Sequence, residues 1–171
     1  MNNIMIDLET MGMCPNAAII AIGAVEFDQH LKMMGAKFYQ TIDLQSAVNL
    51  GGTIDPSTVI WWMQQNDTAR AEFKRPGGLM ISVLSNFNIF LDSCCDKDSR
   101  LLWGNGSDFD NVILASAYRS CNLEVPWKFW NNRCYRTVKA LRPDIKIHRS
   151  GTYHNALDDA VSQAEHLMRM I

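Results

Sequence analysis

The chain has 171 residues, 47% hydrophobic and 20% charged, with a formal net charge of −2. That length and composition describe one ordinary globular domain, long enough to bury a substantial core. The slightly negative balance argues against a wide, sequence-independent coat on duplex nucleic acid, but it is compatible with a grip on a few nucleotides at an end.

No apolar run is long enough to span a bilayer, so no membrane association is expected. The first residues lack the basic-then-apolar pattern of a secretory signal, and Asp7 would interrupt one; a cytoplasmic location is the expectation. Cys94 and Cys95 are adjacent and the other three cysteines are scattered, which predicts reduced thiols and no structural zinc.

The first 45 residues read as three strands. Residues 3–8 alternate, with Ile4, Ile6 and Leu8 on one face and Met5, Asp7 and Glu9 on the other. "AIIAIGAVEFD" (18–28) is nearly apolar throughout, as a central strand is, and "AKFYQTID" (36–43) completes an antiparallel meander. Asp55 then caps a helix over 55–67 with Pro56 at its first position. After the break "PGG" (76–78), a helix over 79–93 carries Leu79, Val83, Phe87, Phe90 and Leu91 on one face. "RLLWG" (100–104) is a fourth strand, and 109–122, 134–141 and roughly 155–170 are further helices. The last buries Leu157, Val161, Ala164, Leu167 and Met168. Antiparallel strands followed by alternating helix and strand indicate an α/β fold, a mixed sheet flanked by helices.

The chemistry centres on "IMIDLET" (4–10). Asp7 and Glu9 are two apart in a strand and share a face. At about 4 Å and an effective dielectric near 20, two such charges repel by roughly 4 kcal/mol. The pair needs a cation or a shared proton, and magnesium suits carboxylates while keeping room for waters and phosphates. Two helix starts offer more acids. Asp110 falls in the first turn of its helix, where the dipole tolerates an anion, with Asp108 just before it as a possible cap. "YHNALDDA" (153–160) places His154 ahead of Asp158 and Asp159. Asp159 is flanked by Ala156 and Ala160, small enough to bring this helix close to the sheet; one of the two acids can face a site and the other solvent. Each helix-start acid alone reads equally well as a cap.

Taken in order, "DLET" (7–10), "FD" (109–110) and "H-x-A-x-x-D" (154–159) resemble the three motifs of DEDDh 3′–5′ exonucleases, relatives of polymerase proofreading subunits. "STVIWWMQQ" (57–65) further resembles the small stand-alone exoribonuclease-like branch of bacteria and their phages. The resemblance covers essentially residues 1–171 as a single exonuclease domain and implies a ribonuclease-H-like sheet, antiparallel then parallel. It implies Asp7, Glu9, Asp110 and Asp159 as ligands of two Mg2+ or Mn2+ ions, and His154 as general base on a loop free to swing. It also implies that Thr10 and an apolar wedge, Met11 or Met13, meet the terminal nucleotide, and that a homodimer forms. Many members carry His-Asn two residues before "FD"; here the Asn is one place further back, as Asn105, and the His is absent.

Arg133, Arg136, Lys139 and Arg142 recur every third residue, with Lys146, His148 and Arg149 beyond. They form either a solvated face or a phosphate track toward His154. Trp61 and Trp62 are adjacent on a helix, so one packs inward while the other is more exposed. The leading reading is release of nucleoside 5′-monophosphates from the 3′ end of single-stranded RNA or DNA, with RNA favoured. A polymerase-associated proofreading subunit and an inactive nucleic-acid-binding relative are the alternatives.

Overall fold

The computed structural model describes residues 1–171, apart from the side chain of Glu72. Strand β1 (Asn3–Thr10) lies in the middle of the sheet. It pairs antiparallel with β2 (Ile19–Asp28), which in turn pairs antiparallel with β3 (Met33–Thr41). On its other side β1 pairs parallel with β4 (Leu101–Gly104), and β4 pairs parallel with the short β5 (Asn132–Cys134). The spatial order is β3-β2-β1-β4-β5. The mixed sheet anticipated from the sequence is therefore present, with β5 an addition too short to show a period.

Two cores form because β1 alternates. Ile4, Ile6 and Leu8 pack with Val83, Leu84, Phe87 and Leu91 of helix α4 (Met80–Cys94) and with Ile113 and Leu114 of α5 (Asp110–Ser120). Met5, Val25 and Phe27 pack on the other face with Tyr135 of α6 (Tyr135–Leu141) and with Ala160, Ala164 and Leu167 of α7 (Ala156–Met170). Leu79 departs from its expected place: it precedes the first turn of α4 and is exposed. Leu157 and Val161 are half-buried, and Ala160 and Ala164 take the closest contact with the sheet instead.

Helix α2 (Pro56–Met63) starts as the sequence predicts, with Asp55 accepting from the Ser57 N–H and Pro56 in the first turn, but it ends four residues early. The short helices α1 (Leu44–Asn49) and α3 (Asp67–Arg70) were not anticipated; each is capped by a side chain, Asp43 and Asn66. Among the described residues, no helix is long and apolar enough to cross a membrane.

Candidate active site

The C-terminal ends of β1 and β4 and the N-terminal ends of α2 and α7 meet at one cavity of about 610 Å3. Its wall includes Asp7, Glu9, Thr10, Trp61, Asn105, Arg136, Arg149, His154 and Asp159. Small residues make the meeting possible. Gly23 pairs with Asp7 across the sheet, and a Cβ on Gly23 would stand 2.1 Å from the carbonyl carbon of Ala156. The first turn of α7, with Asp159 in it, thus lies directly on the sheet beside Asp7.

One donor atom from each of Glu9, His154 and Asp159 lies within 4.8 Å of the others. Asp7 is next to them on the same strand face, and Gln163 donates to its Oδ1 at 2.7 Å. Burial, and then the charges of Asp110, Glu9 and Asp159, push the Asp7 carboxyl well above the ordinary carboxylate range. Asp159 is also raised by burial, against the opposing pull of Arg149, whose guanidinium pairs with its Oδ1. Its Oδ2 accepts the His154 backbone N–H at 3.1 Å.

Asp110 comes from the first turn of α5, and among the neighbouring acids its charge acts most strongly on Asp7. It is buried, its Oδ1 accepts the Leu8 N–H at 3.1 Å and its Oδ2 accepts the Asn105 N–H at 2.6 Å. Burial pushes it up to about 6 although both hydrogen bonds hold it down. It braces the strand between Asp7 and Glu9 and contributes its charge to Asp7. Asp108 is exposed, and the residue at the cap position of α5 is Phe109, without a side-chain cap bond.

His154 has a left-handed backbone, with φ of 63°. Its ring meets Trp61 at 4.9 Å, Trp62 at 6.0 Å and Tyr153 at 4.1 Å, all edge-on. The ring thus has three aromatic neighbours, two of them exposed. Burial lowers the His154 pKa from its usual value, so the neutral ring is favoured near pH 7.

Trp62 is buried and donates from Nε1 to the Thr10 carbonyl at 3.0 Å, while Trp61 is 40% exposed at the cavity. This is the inward and outward division expected. Met11 corrects the sequence reading: it is only 5% exposed, in the core with Ile4 and Leu8, whereas Met13 is 70% exposed and lines the cavity. The pairing register shifts between Glu9 and Thr10, and such a slip sends the following side chain to the opposite face. Asn105 lines the cavity, and Arg136 donates to its Oδ1 at 3.5 Å. The basic series does not form one track: Arg142 pairs with Asp144 and caps the Met170 carbonyl, and Arg133 holds the Trp130 and Asn132 carbonyls.

Residues 2–171 match the family described as the 3′–5′ exoribonuclease Rv2179c-like domain. The chain belongs to that family. It is a 3′–5′ exonuclease, a hydrolytic nuclease, as the resemblance of its motifs implies. Over 169 residues it is 28% identical to an exodeoxyribonuclease of Enterobacteria phage T4, covering 82% of this chain and 72% of the relative. The fold is shared with solved structures, two of which are representative. The nuclease domain of 3′hExo, a DEDDh family member bound to rAMP, aligns with TM-score 0.63 at 16% identity, over 98% of this chain and 90% of that one. S. pombe Pop2p, in a Mg2+- and Mn2+-bound form, aligns with TM-score 0.62 at 13% identity, over 98% and 81%.

Two side chains lining the cavity were not singled out from the sequence. Gln163 lies one helical turn beyond Asp159, and that i, i+4 spacing was the available signal. Arg149 was visible only as part of a basic run.

Proposed function

We propose that this exonuclease domain, residues 1–171, removes nucleoside 5′-monophosphates from the 3′ end of single-stranded RNA with the help of two divalent cations. The observation that carries the proposal is the convergence of Asp7, Glu9 and Asp159 with His154 on one cavity. The donor set fits Mg2+ or Mn2+: hard carboxylate oxygens with one imidazole nearby, in a cage where burial and mutual repulsion already disfavour charge on Asp7. Asp7, Glu9, Asp110 and Asp159 would hold the ions, four carboxylates against two divalent charges. When bound, such a pair supplies an acidified water and neutralises the charge developing on the departing 3′ oxygen.

The chain's own residues account for the rest. Gln163 orients Asp7 through Oδ1. The neutral imidazole of His154 takes the proton from the attacking water, and its aromatic surround limits the ring to orientations over Glu9 and Asp159. Trp61 offers a face to the terminal base and Met13 an apolar edge, while Arg136 attracts phosphate from the Asn105 side. Thr10 is held by the bond from its hydroxyl to the Gly12 carbonyl at 2.7 Å, fixing the turn that presents its backbone to the nucleotide.

The family description favours RNA; the resemblance to a phage exodeoxyribonuclease favours DNA as a second reading. The test is digestion of 5′-labelled single-stranded RNA and DNA of identical sequence, with Mg2+, Mn2+ or chelator. The proposal expects a ladder shortening from the 3′ end, faster on RNA and abolished by chelator. Equal or faster loss of DNA contradicts the RNA assignment, and chelator-resistant cleavage contradicts the metal role.

A further inference from the structure

Arg149 stands on the loop before α7, at the cavity wall, and its guanidinium pairs with Asp159 Oδ1. The same guanidinium lies over the Tyr153 ring, 4.2 Å from its centroid. We propose that Arg149 competes with a divalent cation for Asp159 and passes to a substrate phosphate once the ion takes that carboxylate. The inference rests on the metal-binding role proposed for Asp159.

Three observations support it. First, Asp159 is a buried acid beside Glu9 and close to Asp7, so its charge requires a positive partner, and the Arg149 guanidinium pairs with it. A divalent ion on the same oxygen would face that guanidinium at hydrogen-bond distance, so the two compete for one place.

Second, the loop backbone is fastened by its own hydrogen bonds, whereas the Arg149 head group is held by Asp159 and Tyr153 and the side chain is partly exposed. The Ser150 N–H donates to Ser162 Oγ at 3.1 Å and the Thr152 N–H to Asp158 Oδ2 at 2.7 Å. Gly151, with φ of 77°, lies so close that a Cβ there would stand 2.3 Å from the Asp158 carboxyl carbon. This clip is the use of Asp158, the partner acid that does not face the site. Movement is therefore left to the long, partly exposed Arg149 side chain, with Tyr153 as a surface along which it slides.

Third, the substrate delivers the anion that Arg149 lacks after release. Arginine matches phosphate oxygens with two parallel N–H donors, and Arg136 already stands on the same cavity wall.

The exchange predicts effects of opposite sign from one substitution. Mn2+ binding to the full chain is measured by calorimetry for the native protein and Arg149→Gln. Binding of adenosine 5′-monophosphate is then measured in saturating Mn2+. Removing the competitor tightens Mn2+ by roughly three- to tenfold, while losing a charged phosphate ligand weakens the nucleotide by about tenfold or more. A residue that merely props the loop would weaken both. Unchanged or weaker Mn2+ binding in the variant overturns the exchange, and so does unchanged nucleotide binding. If the native chain binds no Mn2+, the metal role of Asp159 falls and the exchange falls with it.

Discussion

Gly23 and Ala156 are in backbone contact: a Cβ on the glycine would meet the Ala156 carbonyl carbon at 2.1 Å. This approach sets the depth at which α7 lies on the sheet, and with it the distance from Asp159 to Asp7. Gly23→Ala forces the helix start outward. Overpacking of this kind costs about 1–3 kcal/mol. The expected result in urea denaturation is a lower midpoint, and Mn2+ titration of the folded variant is expected to show weakened binding. An unchanged midpoint and unchanged metal affinity contradict the account of how the site is assembled.

The acid cage predicts a pH-dependent stability that metal removes. Asp7 and Asp110 are raised in the fold, Asp110 to about 6, so below the unfolded-state value near 4 both states are protonated and no penalty exists. As pH rises through the folded values, the unfolded chain ionises more readily, and stability is lost. Asp7→Asn is therefore expected to be more stable than the native chain above pH 6 in chelator, with the difference vanishing at pH 4. Saturating Mn2+ should reverse the order at pH 7. Equal melting temperatures across pH 4–7 in chelator would argue against a strained cage.

His154 is expected to act on turnover and not on metal retention. His154→Ala lowers kcat by about 10²–10⁴-fold while Mn2+ binding changes little. The pKa of the ring is lowered by burial, so the acid limb of the native kcat/KM profile should fall below the ordinary histidine value, and the variant should lack it. Retained turnover in the variant removes His154 from the mechanism.

The adjacent tryptophans should separate cleanly. Trp62 is buried and bonded to the Thr10 carbonyl, so Trp62→Ala costs about 3–5 kcal/mol of stability. Trp61→Ala leaves stability nearly intact and weakens oligonucleotide binding by roughly 1–3 kcal/mol, the range for one stacked base. Denaturation and binding measurements on both variants check this, and a matching loss of stability in both contradicts the division.

Much of this arrangement is legible in the sequence for specific reasons. Asp7 and Glu9 interrupt an apolar alternation, and charges in a buried strand need a purpose. The Ala156, Asp159, Ala160 cluster signals a helix start held close to something, but Gly23 as the surface it rests on is visible only once β1 and β2 are in register. Met11 and Met13 read as equal candidates for the apolar wedge, because sequence does not announce the register shift after Glu9 that precedes the buried Met11. The basic series reads as periodic on paper, yet Arg142 is drawn to Asp144 and the end of α7, and only Arg136 and Arg149 reach the cavity. Asp110 was legible as an acid of the site, whereas its two backbone hydrogen bonds depend on where β1 and β4 end. The shape of the sheet follows from local pattern; the second layer around the acids depends on tertiary pairing.

The most direct measurement is anomalous diffraction from crystals soaked in Mn2+. The account predicts peaks in the cavity at about 2.0–2.2 Å from carboxylate oxygens of Asp7, Glu9 and Asp159, with the Arg149 guanidinium withdrawn from Asp159. A fully soaked crystal with no peak at these carboxylates, or with manganese bound only elsewhere on the surface, would contradict it.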